Sequence, residues 1–150
     1  MKFKIENLED LEKFARKLAS KLQNGDVISL IGDLGAGKTT LVQYLAKELG
    51  VDDYVTSPTF AIVNIYYGDF QINHLDLYRI EDPSELEQID YETYFYPDGI
   101  TFIEWAAMGG DYLPEDMIEI EITQVDDKRI IEIKGNVDRF SEMGEIWWEY

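Results

Sequence analysis

Apolar positions follow two periods along this chain, and the switches between them lay out its elements. Phe3 and Ile5 alternate with polar neighbours, as in a short strand. Asn7 then offers a helix cap ahead of Leu8, Leu11, Phe14, Ala15, Leu18 and Leu22, whose spacing puts one apolar stripe along a helix. Asn24-Gly25 stops that helix. The run Val27-Ile28-Ser29-Leu30-Ile31 reads as a strand buried on both faces, the pattern of a parallel sheet, and ends at Gly32. Past a glycine-rich stretch, Thr40, Leu41, Val42, Leu45, Ala46 and Leu49 return to the helical period until Gly50 ends it.

The second half reads mainly as strands. Phe60 to Tyr67 and Gln71 to Tyr78 flank a Gly68-Asp69 turn, a predicted hairpin. Asp82-Pro83-Ser84-Glu85 has the capping chemistry of a short helix. Asp98-Gly99 turns the chain into Ile100-Thr101-Phe102-Ile103, another buried-type strand, with Glu104 at its end. Ile118, Ile120 and Ile122 alternate with acids, Asp126-Asp127 turns, and Ile131 and Ile133 alternate back, which predicts a second hairpin. The expected fold is a three-layer α/β P-loop domain, with a mostly parallel central sheet, added antiparallel hairpin strands and ligands at the carboxyl edge. Residues 1–150 are read as one domain, in which 135–150, with Trp147 and Trp148, form a tail that either packs on the domain or docks a partner.

Composition narrows the chemistry. With no cysteine and one histidine, thiolate sites, disulfides and multi-histidine metal cages are excluded, so a metal must sit on oxygen. The 31 acids against 13 bases give a formal charge of -18, which disfavours direct, tight nucleic-acid binding and leaves room for a basic protein partner. No apolar run approaches the length of a bilayer span, and the start MKFKIENLED has no apolar stretch after its lysines, which predicts a cytoplasmic protein without a membrane partner.

The glycine-rich stretch carries the strongest signal. Gly32-Asp33-Leu34-Gly35-Ala36-Gly37-Lys38-Thr39 satisfies the pattern of glycine, four residues, glycine, lysine and serine or threonine. A strand before it and a helix after it supply the order that a phosphate cradle requires. Glycines let backbone amides turn inward toward phosphates, the following helix adds the positive end of its dipole, and Lys38 neutralises the outer phosphates. Thr39 supplies a hydroxyl to magnesium. The nucleotide-binding residues expected from this string are Asp33, Leu34, Gly35, Ala36, Gly37, Lys38, Thr39 and Thr40.

Such a loop needs an acid at the tip of a neighbouring strand, and Asp76 and Glu104 are the two candidates. Glu104 follows a buried-type strand and is assigned to magnesium. Asp76 follows the more amphipathic stretch Ile72 to Leu75 and is assigned to orienting or activating the attacking water. His74 can reach the same site, but a lone histidine beside a strand is commonly packed or exposed. Arg79, three residues past Asp76, can touch phosphate or a partner's acid, and Trp105 can wall the nucleotide pocket or meet a partner. No asparagine precedes a lysine, so the guanine-reading signature is absent and ATP is expected by elimination. The central region also lacks the cations that would hold a second anionic substrate, which favours hydrolysis over a small-molecule kinase.

Together the strings GDLGAGKTTL, TSPTF, HLDLYRI, an acidic helix followed by TYF, FIEWA and YLPED occur in the order found in the bacterial TsaE family, formerly YjeE, which the chain resembles from about Gly32 to Ile122. That resemblance implies an ATPase needed to make threonylcarbamoyladenosine in tRNA, acting on a complex of TsaD and TsaB. In the family, hydrolysis of Mg-ATP is thought to reset the complex between turnovers. The family's functional residues match here at Lys38, Thr39, Thr40, Asp76, Glu104 and Trp105, and Thr59 matches its switch-like loop. Where the family often carries serine or threonine and glycine near the adenine, this chain has Leu11 and Ala15. Asp90 replaces a glycine common after the acidic helix, at a position where aspartate tolerates a left-handed turn. Two other readings remain: a nucleotide-dependent binding module whose slow hydrolysis times its stay on a partner, and a small P-loop kinase.

Overall fold

A computed structural model describes residues 1–33, 35–52, 55, 62–135 and 137–145. Seven strands form one sheet: β1 (Lys2–Ile5), β2 (Val27–Ile31), β3 (Val63–Tyr67), β4 (Gln71–Asp76), β5 (Ile100–Glu104), β6 (Ile118–Val125) and β7 (Lys128–Lys134), in the spatial order β1-β7-β6-β2-β5-β4-β3. The inner four strands, β6-β2-β5-β4, are parallel neighbours. Both margins are antiparallel, through β1-β7, β7-β6 and β4-β3. The central part of the sheet is thus parallel, as the sequence suggests, while over the whole sheet parallel and antiparallel pairings are equal in number. The two hairpins are as predicted; the extra antiparallel pair is β1 on β7.

Two long helices cover one face. In α1 (Leu8–Lys21), the Asn7 side chain accepts from the Asp10 backbone N–H at 2.8 Å, and Leu11, Phe14, Ala15, Leu18 and Ala19 are buried, as their period predicts. In α2 (Lys38–Glu48), Leu41, Val42, Leu45 and Ala46 are fully buried. Each large apolar side chain removed from water contributes about 1.5–3 kcal/mol, so this helix is held by its packed stripe. Phe140 and Met143, in the 3₁₀ helix Val137–Glu145, join the same core. Arg139 also donates to the Asp26 carboxylate at 2.6 Å, so this part of the tail packs on the rest of the chain. Trp147 and Trp148 lie outside the described residues.

The opposite face carries a second, smaller cluster in which Val27, Leu75, Leu77 and Ile103 meet Ile80, Leu86 and Phe95. Its cover consists of short pieces: 3₁₀ helices Pro83–Ile89 and Ala106–Tyr112, and α3 (Tyr91–Phe95). Asp82 caps the first of these with a full capping box, and its hydrogen bonds from Ser84 hold its carboxyl below the usual range. Asp90 has φ 57°, the left-handed turn expected of it.

The stretch Ile72 to Leu75 departs from its sequence reading. It is buried on both faces, not amphipathic, because each of its polar side chains has a hydrogen bond. Asn73 donates to the Thr101 hydroxyl at 3.1 Å, and His74 bonds to Glu104.

Candidate nucleotide site

The sequence leaves the start of α2 bare. Gly37, at φ 109°, takes the left-handed conformation that glycine adopts without strain, has no side chain to cap the helix, and is followed by no acid in the first turn. In α1, by contrast, Asn7, Glu9 and Asp10 occupy that position. The first N–H groups of α2 thus lack a side-chain partner of the kind that α1 has, where a helix presents its positive end to an anion. The loop ahead of it is tightly placed. A Cβ on Gly32 would meet the Ile122 carbonyl at 2.8 Å, and Arg129 from β7 donates from Nε to the Ala36 carbonyl at 3.0 Å. Lys38 is buried, with Nζ donating to the Gly32 carbonyl at 2.7 Å and lying 4.9 Å from the centre of the Trp105 ring.

Sheet register brings the acids to this loop. Glu104 is paired with Leu30, two residues before Gly32, and with Asp76 on its other side. Glu104 is 5% exposed, and His74 Nε2 lies 2.7 Å from its Oε2, a hydrogen bond that an ionised carboxylate can only accept and that therefore places the ring proton on Nε2. His74 is fully buried, and its Nδ1 has no hydrogen-bond partner among the described residues. Leaving a buried polar atom unpaired costs about 1–3 kcal/mol. Asp76 is half-buried and accepts from the Tyr78 backbone N–H at 3.0 Å. Trp105 sits at φ 59°, a left-handed conformation that costs a non-glycine residue about 1–3 kcal/mol. Its ring lies 5.0 Å from that of the exposed Tyr78.

Two cavities adjoin the loop. The larger, about 620 Å³, is bounded by Gly32, Lys38 and Trp105 but also by the carboxylates of Asp33, Glu119 and Glu121, which oppose a polyphosphate. The smaller, about 220 Å³, lies against Ala36, Gly37 and Thr40 and is walled by Ile5, Leu8, Leu11, Ile122 and Ile131, with Asn7 and Arg129 as polar groups. Glu6 and Asp127 stand at the same cavity, and a hydrogen bond from Lys4, aided by the charge of Lys128, holds the Glu6 carboxyl below its usual range.

Most of the sequence-predicted residues therefore meet at one edge. Asp33 and Gly35 are exposed, Thr39 and Thr40 are half-buried at the start of α2, and Lys38 contacts Trp105, the residue after Glu104. Arg79 is exposed in the turn beyond β4 and is tied to the loop by no hydrogen bond or ion pair among the described residues. Leu34 and Thr59 lie outside the described residues. Leu11 lines the smaller cavity, whereas Ala15 is buried in the core. The Thr39 hydroxyl and the Glu104 carboxyl are hard oxygen donors of the kind that Mg²⁺ takes, and such an ion ordinarily keeps phosphate and water among its other ligands. No cluster of three or more metal-binding side chains occurs among the described residues.

Sequence reasoning missed the contact of Arg129 with the loop and left His74 between packed and exposed; it is packed and bonded to Glu104. For the histidine a signal existed, since position 74 shares a strand face with position 76. For Arg129 none did, because its partner is a backbone carbonyl 93 residues away.

The chain is similar to known proteins over most of its length. Residues 5–131 match the family model described as Threonylcarbamoyl adenosine biosynthesis protein TsaE. The tRNA threonylcarbamoyladenosine biosynthesis protein TsaE of Bacillus subtilis is 36% identical over 147 residues, covering 97% of this chain and 92% of the relative. That of Haemophilus influenzae is 40% identical over 127 residues, covering 81% and 80%. The crystal structure of Bacillus subtilis YdiB superposes with a TM-score of 0.76 at 31% identity, over 97% of this chain and 92% of the other. No helix among the described residues is long and apolar enough to cross a membrane.

Proposed function

We propose that this chain, which belongs to the TsaE family and so to tRNA threonylcarbamoyladenosine biosynthesis, is a Mg-dependent ATPase that acts on TsaD and TsaB. The observation that supports this reading is the uncapped start of α2 at the same sheet edge as the paired Asp76 and Glu104, where backbone amides and two carboxyls of different exposure are available to a phosphate, its cation and a water.

In this reading the amides of Gly35 and Gly37 and the first turn of α2 hold the phosphates, while the Ala36 amide closes the loop on the Asp33 carbonyl. Lys38 leaves the Gly32 carbonyl for the outer phosphates, a short move for a flexible side chain. Thr39 and Glu104 would hold the magnesium, which when bound would draw charge from the phosphoryl oxygens. Asp76, more exposed and at the next strand tip, orients the attacking water. The base occupies the smaller cavity, whose apolar walls suit an adenine and whose Asn7 can bond its edge.

Partner control follows from what the loop lacks. Apart from Lys38, the nearby cation Arg129 is engaged with the loop's own backbone, so transition-state charge is undercompensated. P-loop enzymes commonly borrow that stabilisation from a partner, worth about a thousandfold or more in rate. The charge of -18 also opposes direct tRNA binding, so tRNA is reached through the partner proteins.

The test is steady-state phosphate release from Mg-ATP by the purified chain, with TsaD and TsaB added together and omitted in turn. Slow release alone and faster release with both supports the reading. Hydrolysis unmoved by the partners, but stimulated by a phosphate acceptor, would replace it with a kinase.

A further inference from the structure

Among the described residues, His74 is the one titratable side chain buried completely, and it bonds to a residue of the candidate site. The imidazole contributes little to folding that an apolar side chain would not. Nε2 donates to Glu104, while Nδ1 has no partner among the described residues. A group so placed weakens a core unless its one hydrogen bond serves a purpose. Glu104 shows what that purpose is. It has three side-chain torsions, ends its strand at the sheet edge, and is nearly buried, where a carboxylate needs a fixed donor.

The donor arrives from a rigid place. Residues 74 and 76 face the same side of β4, and Asp76 is in register with Glu104, so the ring reaches diagonally across to the carboxylate from two residues deeper in the sheet. Pairing on both sides, with β3 through Asn64 and with β5 through Phe102, fixes the strand that carries it.

We propose that His74 is a positioning residue: its Nε2–H fixes one Glu104 oxygen so that the carboxylate is held ready for a divalent cation. This rests on the reading of Glu104 as the metal-side acid. Groups that orient a metal's ligands typically change metal affinity about ten- to hundredfold when removed, without touching the metal themselves. Glutamine supplies a donor near the position of Nε2; asparagine is too short to reach it.

The experiment measures the affinity of the intact protein for a non-hydrolysable ATP analogue, in EDTA and across a Mg²⁺ titration, alongside thermal melts. For His74→Leu and His74→Asn the Mg²⁺ concentration giving half the metal effect should rise about tenfold or more, while affinity in EDTA stays within about twofold. His74→Gln should restore most of the loss. A purely structural role would lower the melting temperature in all three and leave the Mg²⁺ dependence alone. Should leucine prevent folding, the contrast between glutamine and asparagine still decides, and equal behaviour of those two overturns the proposal. Glu104→Gln separates the two readings. If it raises the Mg²⁺ requirement and the histidine variants do not, positioning alone is wrong; if it does not, the metal assignment and the positioning role fall together.

Discussion

Asp76 and Glu104 stand side by side, in register, at the tips of two parallel strands, yet their carboxyls have different surroundings. Glu104 is nearly buried and held by an imidazole; Asp76 is half-buried and bonded to a backbone amide two residues on. A difference of this kind lets one fold use two adjacent acids for different work. The more enclosed one suits a cation, and the more exposed one suits a water molecule that must enter and leave.

Glu104→Ala should therefore weaken Mg²⁺-dependent nucleotide binding by about ten- to hundredfold, the scale of a lost hydrogen bond or ligand to a charged group. Asp76→Ala should retain the nucleotide and lose about a hundredfold or more in turnover. Calorimetric titration set against steady-state hydrolysis separates the two. Normal hydrolysis by Asp76→Ala removes its catalytic role.

Lys38→Ala and Thr39→Ala test the loop. Lys38 contacts a carbonyl and a ring face, not the apolar core, so its removal should leave thermal stability nearly intact while ATP affinity drops about tenfold or more. Thr39→Ala should lose mainly the magnesium-dependent part of that affinity. Unchanged ATP and Mg²⁺ binding in both variants would end the P-loop assignment.

What could be read in advance was what repeats locally or has fixed spacing. The stripe from Leu11 to Leu18, the doubly apolar Val27–Ile31 and the glycine, lysine and threonine string each carry their signal within a few residues. The pairing of β1 with β7 does not, since Lys2 and Glu132 meet only after the whole sheet is laid down, and that pair removes the parallel majority. Whether His74 is packed or exposed is not legible in the strand itself. Only the cross-strand partners Thr101 and Glu104 show that Asn73 and His74 belong to the interior, with one ring nitrogen of His74 bonded and the other without a partner among the described residues. Phe140 and Met143 show a spacing of three, but nothing in the tail itself says that it folds back onto α1.

Arg129 offers the last test, because it links the hairpin of β6 and β7 to the phosphate loop. Its Nε donates to the Ala36 carbonyl at 3.0 Å, and its side chain also lines the smaller cavity. Two effects can follow from its loss. If the bond chiefly holds the loop in a phosphate-accepting shape, Arg129→Ala should weaken ATP and inorganic triphosphate alike. If the guanidinium chiefly contacts the base, only ATP should suffer. The geometry favours the first, since a hydrogen bond from a charged donor is worth about 1.5–3 kcal/mol and this one is spent on the loop's backbone. About a tenfold loss of affinity for both ligands is expected. Arg129→Lys should recover little of it, because an ammonium lacks the planar fork that places Nε against the carbonyl. Competition binding with ATP, GTP and triphosphate reads all of this in one series. Affinities unchanged for every ligand would mean that the loop keeps its shape without the hairpin's help.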